Sequence, residues 1–321
     1  MNKVKFYFIL PLISIVLFSC SKDDDKKVAP PRDYILQYSS DLDSIESYLK
    51  THSFTVVEVD GLTDVKIDTF IVGNAEGKVS IWDNTQYPLQ FKMVKNDSRN
   101  SLVVDGRISD PVDYKMYYLL INEGGGASTT TFDSTYVSYR GWRLDNKQFD
   151  ISNQPIWATF PKTTSTEVTL ISGFRQFTPL LKAAVPPFVA NPDTGEINFN
   201  NSGVGVVFLP SGLGYYSSPV SSIPSYSPLV FTVRLHTVRE RDHDRDGVYS
   251  KHENGDGAED LFTVDTDGDN IPDFLDLDDD GDNVRTILEI RNPVTGKPYD
   301  FDDIPTCTGG TLKKHLDPNC Q

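Results

Sequence analysis

Residues 222–238 read "SIPSYSPLVFTVRLHTV". Phe231, Val233 and Leu235 alternate with Thr232, Arg234 and His236, the period of two expected of a strand with one buried face. Strand signals recur upstream in "DYKMYYLLINEG" (113–124), "STYVSYRGWRLD" (134–145), "VTLISGF" (168–174) and "VGVVFLP" (204–210). Between the last two, "GFRQFTPLLKAA" (173–184) sets Phe174, Phe177, Leu180 and Leu181 on one helical face. Five strands and one short helix predict an α+β fold, a sheet that buries its inner face on a helix.

The chain has 321 residues, 38% of them hydrophobic and 11% aromatic, enough for a substantial core. Its formal net charge is -16. Most of that charge is local: Asp242 to Glu289 carries 17 acidic and 3 basic residues, hence -14. With no basic stripe to meet phosphates, nucleic acid is excluded as a partner.

The first residues, "MNKVKFYFILPLISIVLFSC", run from a short basic start through an apolar stretch, Phe6 to Phe18, to Cys20. That stretch is too short for a spanning helix, which needs ~20 apolar residues, and it has the flanks of a signal peptide. It resembles a bacterial lipoprotein signal, which implies a signal peptide over 1–19, a lipidated Cys20, a tether over 20–34 and an outer-membrane lipoprotein facing the periplasm or the cell surface. The alternative is an ordinary secretory signal. In an exported chain Cys307 and Cys320 either close a small disulfide loop or stay free.

Residues 35–112 read as an N-terminal extension. "DLDSIESYLKTH" (41–52) places Leu42, Ile45 and Leu49 at helical spacing, with Asp41 as the cap. Strand-like runs follow in "SFTVVEVDG", "VKIDTFIVG", "KVSIWDN" and "SLVVDG". No chemistry is visible in this part.

Four blocks carry a family likeness: "YVSYRGWRLDNKQFD" (136–150), "LISGFRQFTPLLK" (170–182), "VVFLPSGLGYY" (206–216) and the opening stretch. In that order, over residues 113–238, about two fifths of the chain, they resemble an FKBP-type peptidyl-prolyl cis/trans isomerase. The resemblance implies an antiparallel sheet wrapped on a short helix, no catalytic cofactor, and proline-containing polypeptides as partners. It also implies a site in which Tyr139, Phe149, Ile156, Leu170, Ile171, Phe174, Ile223 and Phe231 wall an apolar pocket. Asp150, Tyr215 and the Ile171 backbone N–H would give polar contacts. On composition alone the apolar members read as plain core packing, and only the resemblance reverses that reading. Phe174 stands where the family has Trp, Ile156 where an aromatic is common, and Tyr216 where Gly follows the loop tyrosine. The stretch 183–204 lengthens a tight turn at one side of the pocket.

Residues 239–290 form an Asp-rich segment, followed by a tail over 291–321. "DHDRDGVYSKHE" (242–253) fits a twelve-residue calcium loop. Asp242, Asp244 and Asp246 would be carboxylate ligands, with the Val248 carbonyl, Ser250 through water and bidentate Glu253; Gly247 takes the sharp turn. Asp265, Asp267, Asp269, Asp273 and Asp276 fit a second site. Asp278, Asp280, Asp282 and Glu289 fit a third, with Thr286 at its ninth position. Like charges this dense repel without cations. A strand enters the first loop and Gly-rich sequence leaves it, so the segment resembles thrombospondin type 3 calcium repeats more than a helix-pair sensor. Structural Ca2+ in a loop-rich C-terminal segment is the expectation. The predicted activity is isomerisation of X-Pro bonds in exported proteins. The alternatives are a non-catalytic proline-peptide binder and a calcium-dependent structural or adhesion lipoprotein.

Overall fold

The sequence expected one strand face buried; the central strands are buried on both. A computed structural model describes residues 30–59, 61–69, 78–97, 99, 110–190, 192, 195, 197–255, 257–258 and 260–320. Cys20 and "SLVVDG" lie outside the described residues.

Among the described residues ten strands run in chain order: β1 (His52–Val59), β2 (Leu62–Thr69), β3 (Gln90–Lys95), β4 (Asp113–Asn122), β5 (Ser134–Arg143), β6 (Gln148–Ala158), β7 (Val189–Ala190), β8 (Ile197–Asn198), β9 (Gly203–Leu209) and β10 (Leu229–Arg239). Six of them form one sheet in the order β3-β4-β9-β10-β5-β6, with every neighbouring pair antiparallel. The helices are α1 (Tyr34–Thr51), α2 (Ser172–Phe177) and α3 (Thr286–Glu289). The fold is therefore α+β, mostly antiparallel with few helices, and among the described residues no helix is long and apolar enough to cross a membrane.

Alternation along β10 sends Leu229, Phe231, Val233 and Leu235 to one face, where Phe174 and Phe177 of α2 and then Leu181 cover them. Val230 points to the other, beside Val206 and Phe208 of β9, under Ile45, Tyr48 and Leu49 of α1 and Val65 of β2. Burying each such side chain contributes about 1.5–3 kcal/mol. The segment before residue 113 thus supplies the back layer of the sheet, and β3 pairs with β4 at one edge. β6 forms the other edge and carries Pro155, which has no N–H for a ladder and suits an edge strand.

Several local expectations change. Helix α1 starts earlier than 41, capped by Asp33, whose carboxylate accepts from the Ile35 and Leu36 N–H groups at 3.0 Å. Asp41 is not the cap. It is buried inside the helix, where it accepts from Ser211 N–H and Oγ at 2.8 and 2.6 Å. "VTLISGF" is not a strand: Val168 makes one isolated bridge to Ala158, and helix α2 begins at Ser172 because its apolar residues follow the period of a turn. The apolar run Phe174–Leu181 continues past α2 as a single 3-10 turn over Thr178–Leu180. "KVSIWDN" forms no strand, although Ile81 still plugs the core below α1.

A buried ion network locks β2 to the sheet. Asp64 Oδ2 lies 3.0 Å from Arg234 Nη2 and 3.1 Å from Arg140 Nε. The acidic segment docks through a third apolar cluster, where Leu261, Phe262 and Phe274 pack on Phe132 and Phe160. Arg99 adds an ion pair to Asp260 at 2.9 Å and lies over the Phe262 ring. Cys307 and Cys320 are disulfide-bonded, with Cα atoms 5.6 Å apart.

Candidate functional site

Phe231 is the hub of an aromatic cage on the α2 face of the sheet. Its ring meets Phe149 at 5.4 Å, Phe174 at 5.5 Å and Tyr139 at 6.1 Å, each edge to face. Tyr139 in turn meets Phe174 edge to face at 5.6 Å. Such pairs contribute about 0.5–1.5 kcal/mol each beyond burial. The strands dictate the cage: Phe231 in β10 pairs across the ladder with Gly141 in β5, and a Cβ on Gly141 would come within 2.6–2.8 Å of the Phe149 and Phe231 rings. Only glycine leaves both rings their places.

Phe174, Phe231 and Ile223 are fully buried, whereas Tyr139, Phe149, Ile156, Leu170, Ile171 and Tyr215 are half-buried around them. A small void of about 10 Å³ adjoins Phe174, between Leu170 and Phe160. At the rim, Tyr139 Oη donates to Asp150 Oδ2 at 2.8 Å. Burial first, then that bond and the Asp150 charge, push the Tyr139 phenol above its ordinary range. Burial and Asp150 do the same to Tyr215. Both phenols are therefore neutral donors at neutral pH, which suits orientation and not proton transfer. Leu170, Ile171 and Tyr215 also line an adjoining cleft of about 260 Å³, together with Tyr34, Arg175 and Tyr216. All ten residues of the expected pocket thus lie in or against one cluster, Asp150 through its bond to Tyr139.

The departures from the family pattern have visible consequences. Tyr216 takes a φ of 47°, a left-handed backbone that favours glycine. Its ring stacks on Tyr34 at 4.5 Å and meets Tyr226 edge to face at 5.2 Å, contacts that offset strain of about 1 kcal/mol or more. The stretch 183–204 starts at Ala183, which belongs to the same core cluster as Phe174 and Phe231. Among the described residues its rings, Phe188 and Phe199, pack toward His236 and Tyr136 at the far end of β10 and β5.

The acidic segment repeats one frame three times, at 242–253, 265–276 and 278–289. In each, the sixth N–H donates to the first carboxylate: Gly247 to Asp242, Asn270 to Asp265, Asn283 to Asp278. The seventh donates to the fifth: Val248 to Asp246, Ile271 to Asp269, Val284 to Asp282. The second donates to the ninth side chain: His243 to Ser250, Thr266 to Asp273, Asp279 to Thr286. Each ninth position opens a single helical turn, over 250–252, 273–275 and 286–289, so no pair of long helices flanks a loop.

Carboxylates converge as Asp242, Asp244 and Asp246, as Asp265, Asp267 and Asp269, and as Asp278, Asp280 and Asp282. Buried oxygens without a hydrogen-bond partner occur on Asp244, Asp246 and Glu253 in the first loop and on Asp278, Asp280, Asp282 and Glu289 in the third. Burial, then mutual repulsion, pushes Asp244, Asp246 and Glu253 upward and Glu289 up to about 8. Hard oxygens left unpaired in this way fit a divalent cation of the calcium type. The second loop is different. Its clustered aspartates are more exposed. Asp273 does not join them, because its carboxylate accepts from Thr266 N–H and Oγ at 2.7 Å each. Asp276 accepts the Leu277 and Asp278 N–H groups on one oxygen. In the first loop the Ser250 hydroxyl lies 2.8 Å from His243 Nδ1.

One acid was missed. Asp279 joins Asp246 and Glu253 in a fourth convergence. The second position of such a loop has no assigned ligand, and within the run "DLDDDGD" (276–282) nothing in the spacing singles it out.

A family model described as "BamM C-terminal" matches residues 243–314. No curated protein matches the chain. Two solved structures are similar over 39% of it: a peptidyl-prolyl cis-trans isomerase from Pseudomonas syringae pv. tomato (21% identity, 76% of that chain, TM-score 0.30) and FkpA from Escherichia coli (24% identity, 48% of that chain, TM-score 0.30). The match thus spans about half of FkpA. At that TM-score neither likeness bears on function.

Proposed function

We propose that residues 113–238 bind X-Pro segments of exported polypeptides in the aromatic cage and catalyse their cis/trans isomerisation. The observation that carries this reading is the closed set of edge-to-face rings around Phe231, with a half-buried rim bearing only neutral phenols and one carboxylate. Rotation about a prolyl amide faces a barrier of about 18–20 kcal/mol set by resonance. No covalent bond is made or broken, so a nucleophile or general base has nothing to do. An apolar pocket lowers the barrier by stripping water from the amide, because the twisted transition state has less charge separation than the planar ground state and loses less on desolvation. In this chain the prolyl ring would rest on Phe174 and Phe231. The Tyr215 hydroxyl and the Ile171 N–H would hold the flanking carbonyls, while Asp150 fixes the Tyr139 ring.

A protease-coupled assay on a short Xaa-Pro peptide tests it. A rate above background that Tyr139→Ala and Phe231→Ala abolish is expected; no rate in the wild type, with the same peptide still bound, would make the cage a binding module instead.

We further propose that Ca2+ orders the C-terminal segment through the first and third loops, supported by the unpartnered buried carboxylates there. Titration of the chelated protein with calcium, read by calorimetry, should show saturable binding that Asp244→Asn and Asp280→Asn each reduce. Anchoring through lipidated Cys20 rests on the sequence. Cys20→Ala should move the protein from the membrane fraction to the soluble one, and an unchanged distribution would overturn it.

A further inference from the structure

Asp279 is 1% exposed, and neither of its carboxylate oxygens has a hydrogen-bond partner. Its backbone belongs to the third loop, where its N–H donates to Thr286 Oγ at 3.3 Å. Its carboxylate belongs with the first: one oxygen each from Asp246, Glu253 and Asp279 lies within 4.8 Å of the others, and all three residues are buried. Asp246 Oδ1 accepts the Val248 N–H at 2.7 Å, which leaves Oδ2 without a partner. Both oxygens of Glu253 are likewise without one. Oxygens this close to one another can share one ion with bonds of about 2.3–2.6 Å, the calcium distance.

We infer that Asp246, Glu253 and Asp279 form an inter-loop divalent-cation site that clamps the first loop of the acidic segment to the third. Calcium suits it because every donor is a hard carboxylate oxygen. The site gives the three-loop frame a tertiary contact that its internal hydrogen bonds lack. Those bonds close each loop on itself, whereas this ion would join two loops that are separated in sequence by the whole second loop. The inference rests on the reading of the first loop as a calcium loop, since Asp246 and Glu253 serve both.

The test uses the full chain and Asp279→Asn, with calcium as the probe. In excess calcium the variant should melt below the wild type, and calcium affinity at the first loop should fall about 10- to 100-fold, the scale on which a ligand shell is felt. In chelator the same substitution should raise the melting temperature, because a neutral amide replaces a carboxylate buried beside two others. Shifts of the same sign in both conditions, or wild-type calcium affinity, would overturn the site. Asp280→Asn gives an independent reading by disabling the third loop's own ligand set while keeping Asp279. Calcium should still slow amide exchange over residues 277–281 in that variant, and exchange indifferent to calcium would overturn the clamp. A wild type that binds no calcium would remove loops and clamp together. Normal calcium binding with an unresponsive Asp279→Asn would remove the clamp alone.

Discussion

Asp64 and Asp279 are both about 1% exposed and are accommodated in opposite ways. In the sheet, Asp64 has two guanidinium partners, Arg234 and Arg140, at 3.0 and 3.1 Å. In the acidic segment, Asp279 faces other carboxylates, and burial with their repulsion pushes it up to about 10. Burying an unpaired charge costs several kcal/mol, so a chain either supplies the counter-charge or takes it from outside. The sheet and its aromatic cage are complete as folded. On the proposed calcium reading, the C-terminal segment takes its counter-charge from cations.

The largest effect that would break this contrast comes from a chelator. Removing calcium should abolish amide protection across 242–289 while leaving protection in β9 and β10 unchanged; uniform loss in both regions would show that the sheet depends on the metal as well. Next comes Asp64→Ala, which strands Arg234 and should cost about 3–5 kcal/mol in chemical denaturation, with no dependence on calcium.

The pH response sharpens the contrast through its sign. His236, hydrogen-bonded to Ser138 and Ser202, is pushed down to about 4 by burial and the Arg234 charge. The unfolded chain takes up a proton near pH 6.5 that the folded one refuses, so the sheet loses up to about 3 kcal/mol as pH falls from 6.5 toward 4. The chelated acidic segment holds one group of the same kind, His243, pushed down to about 4 by burial and the Arg241 charge, but its carboxylates should run the other way. Its carboxylates are raised, Glu289 to about 8 and Asp279 to about 10. Their neutral forms favour the folded state at low pH, and stability is lost as pH rises from about 4 through those values. Melting temperatures across pH, with and without calcium, check both slopes, and calcium should flatten the second.

Smaller effects fall on the cage. Gly141→Ala drives a methyl into Phe149 and Phe231 and should cost about 1–3 kcal/mol, with loss of prolyl-peptide binding at unchanged calcium affinity. Tyr139→Phe removes one rim hydrogen bond and should cost about 0.5–1.5 kcal/mol, slowing turnover while the fold persists.

The same contrast explains what could be read in advance. Phe231, Val233 and Leu235 announced their strand because alternation is a local property. The residues that gather in the aromatic cage were legible through the four family-like blocks, and the loop aspartates through fixed spacing. What stayed hidden depends on tertiary placement. Phe91 and Met93 of β3 are about half exposed, so nothing in "QFKMVK" marks a sheet edge that pairs with β4. Asp41 looked like a cap because its partner, Ser211, is distant in sequence. The back layer formed by α1 and β2 was invisible because strands buried on both faces lose clean alternation, as all seven residues of β9 show. Asp279 was missed for the same reason, since its partners lie in another loop.

The central claim is that the cage acts on prolyl bonds while calcium serves only the C-terminal segment. Exchange spectroscopy of a short Xaa-Pro peptide with catalytic amounts of the protein, in calcium and then in chelator, tests it most directly. Acceleration of cis/trans exchange that survives the chelator and vanishes in Phe231→Ala is the predicted result. Exchange at the uncatalysed rate in both conditions would contradict it.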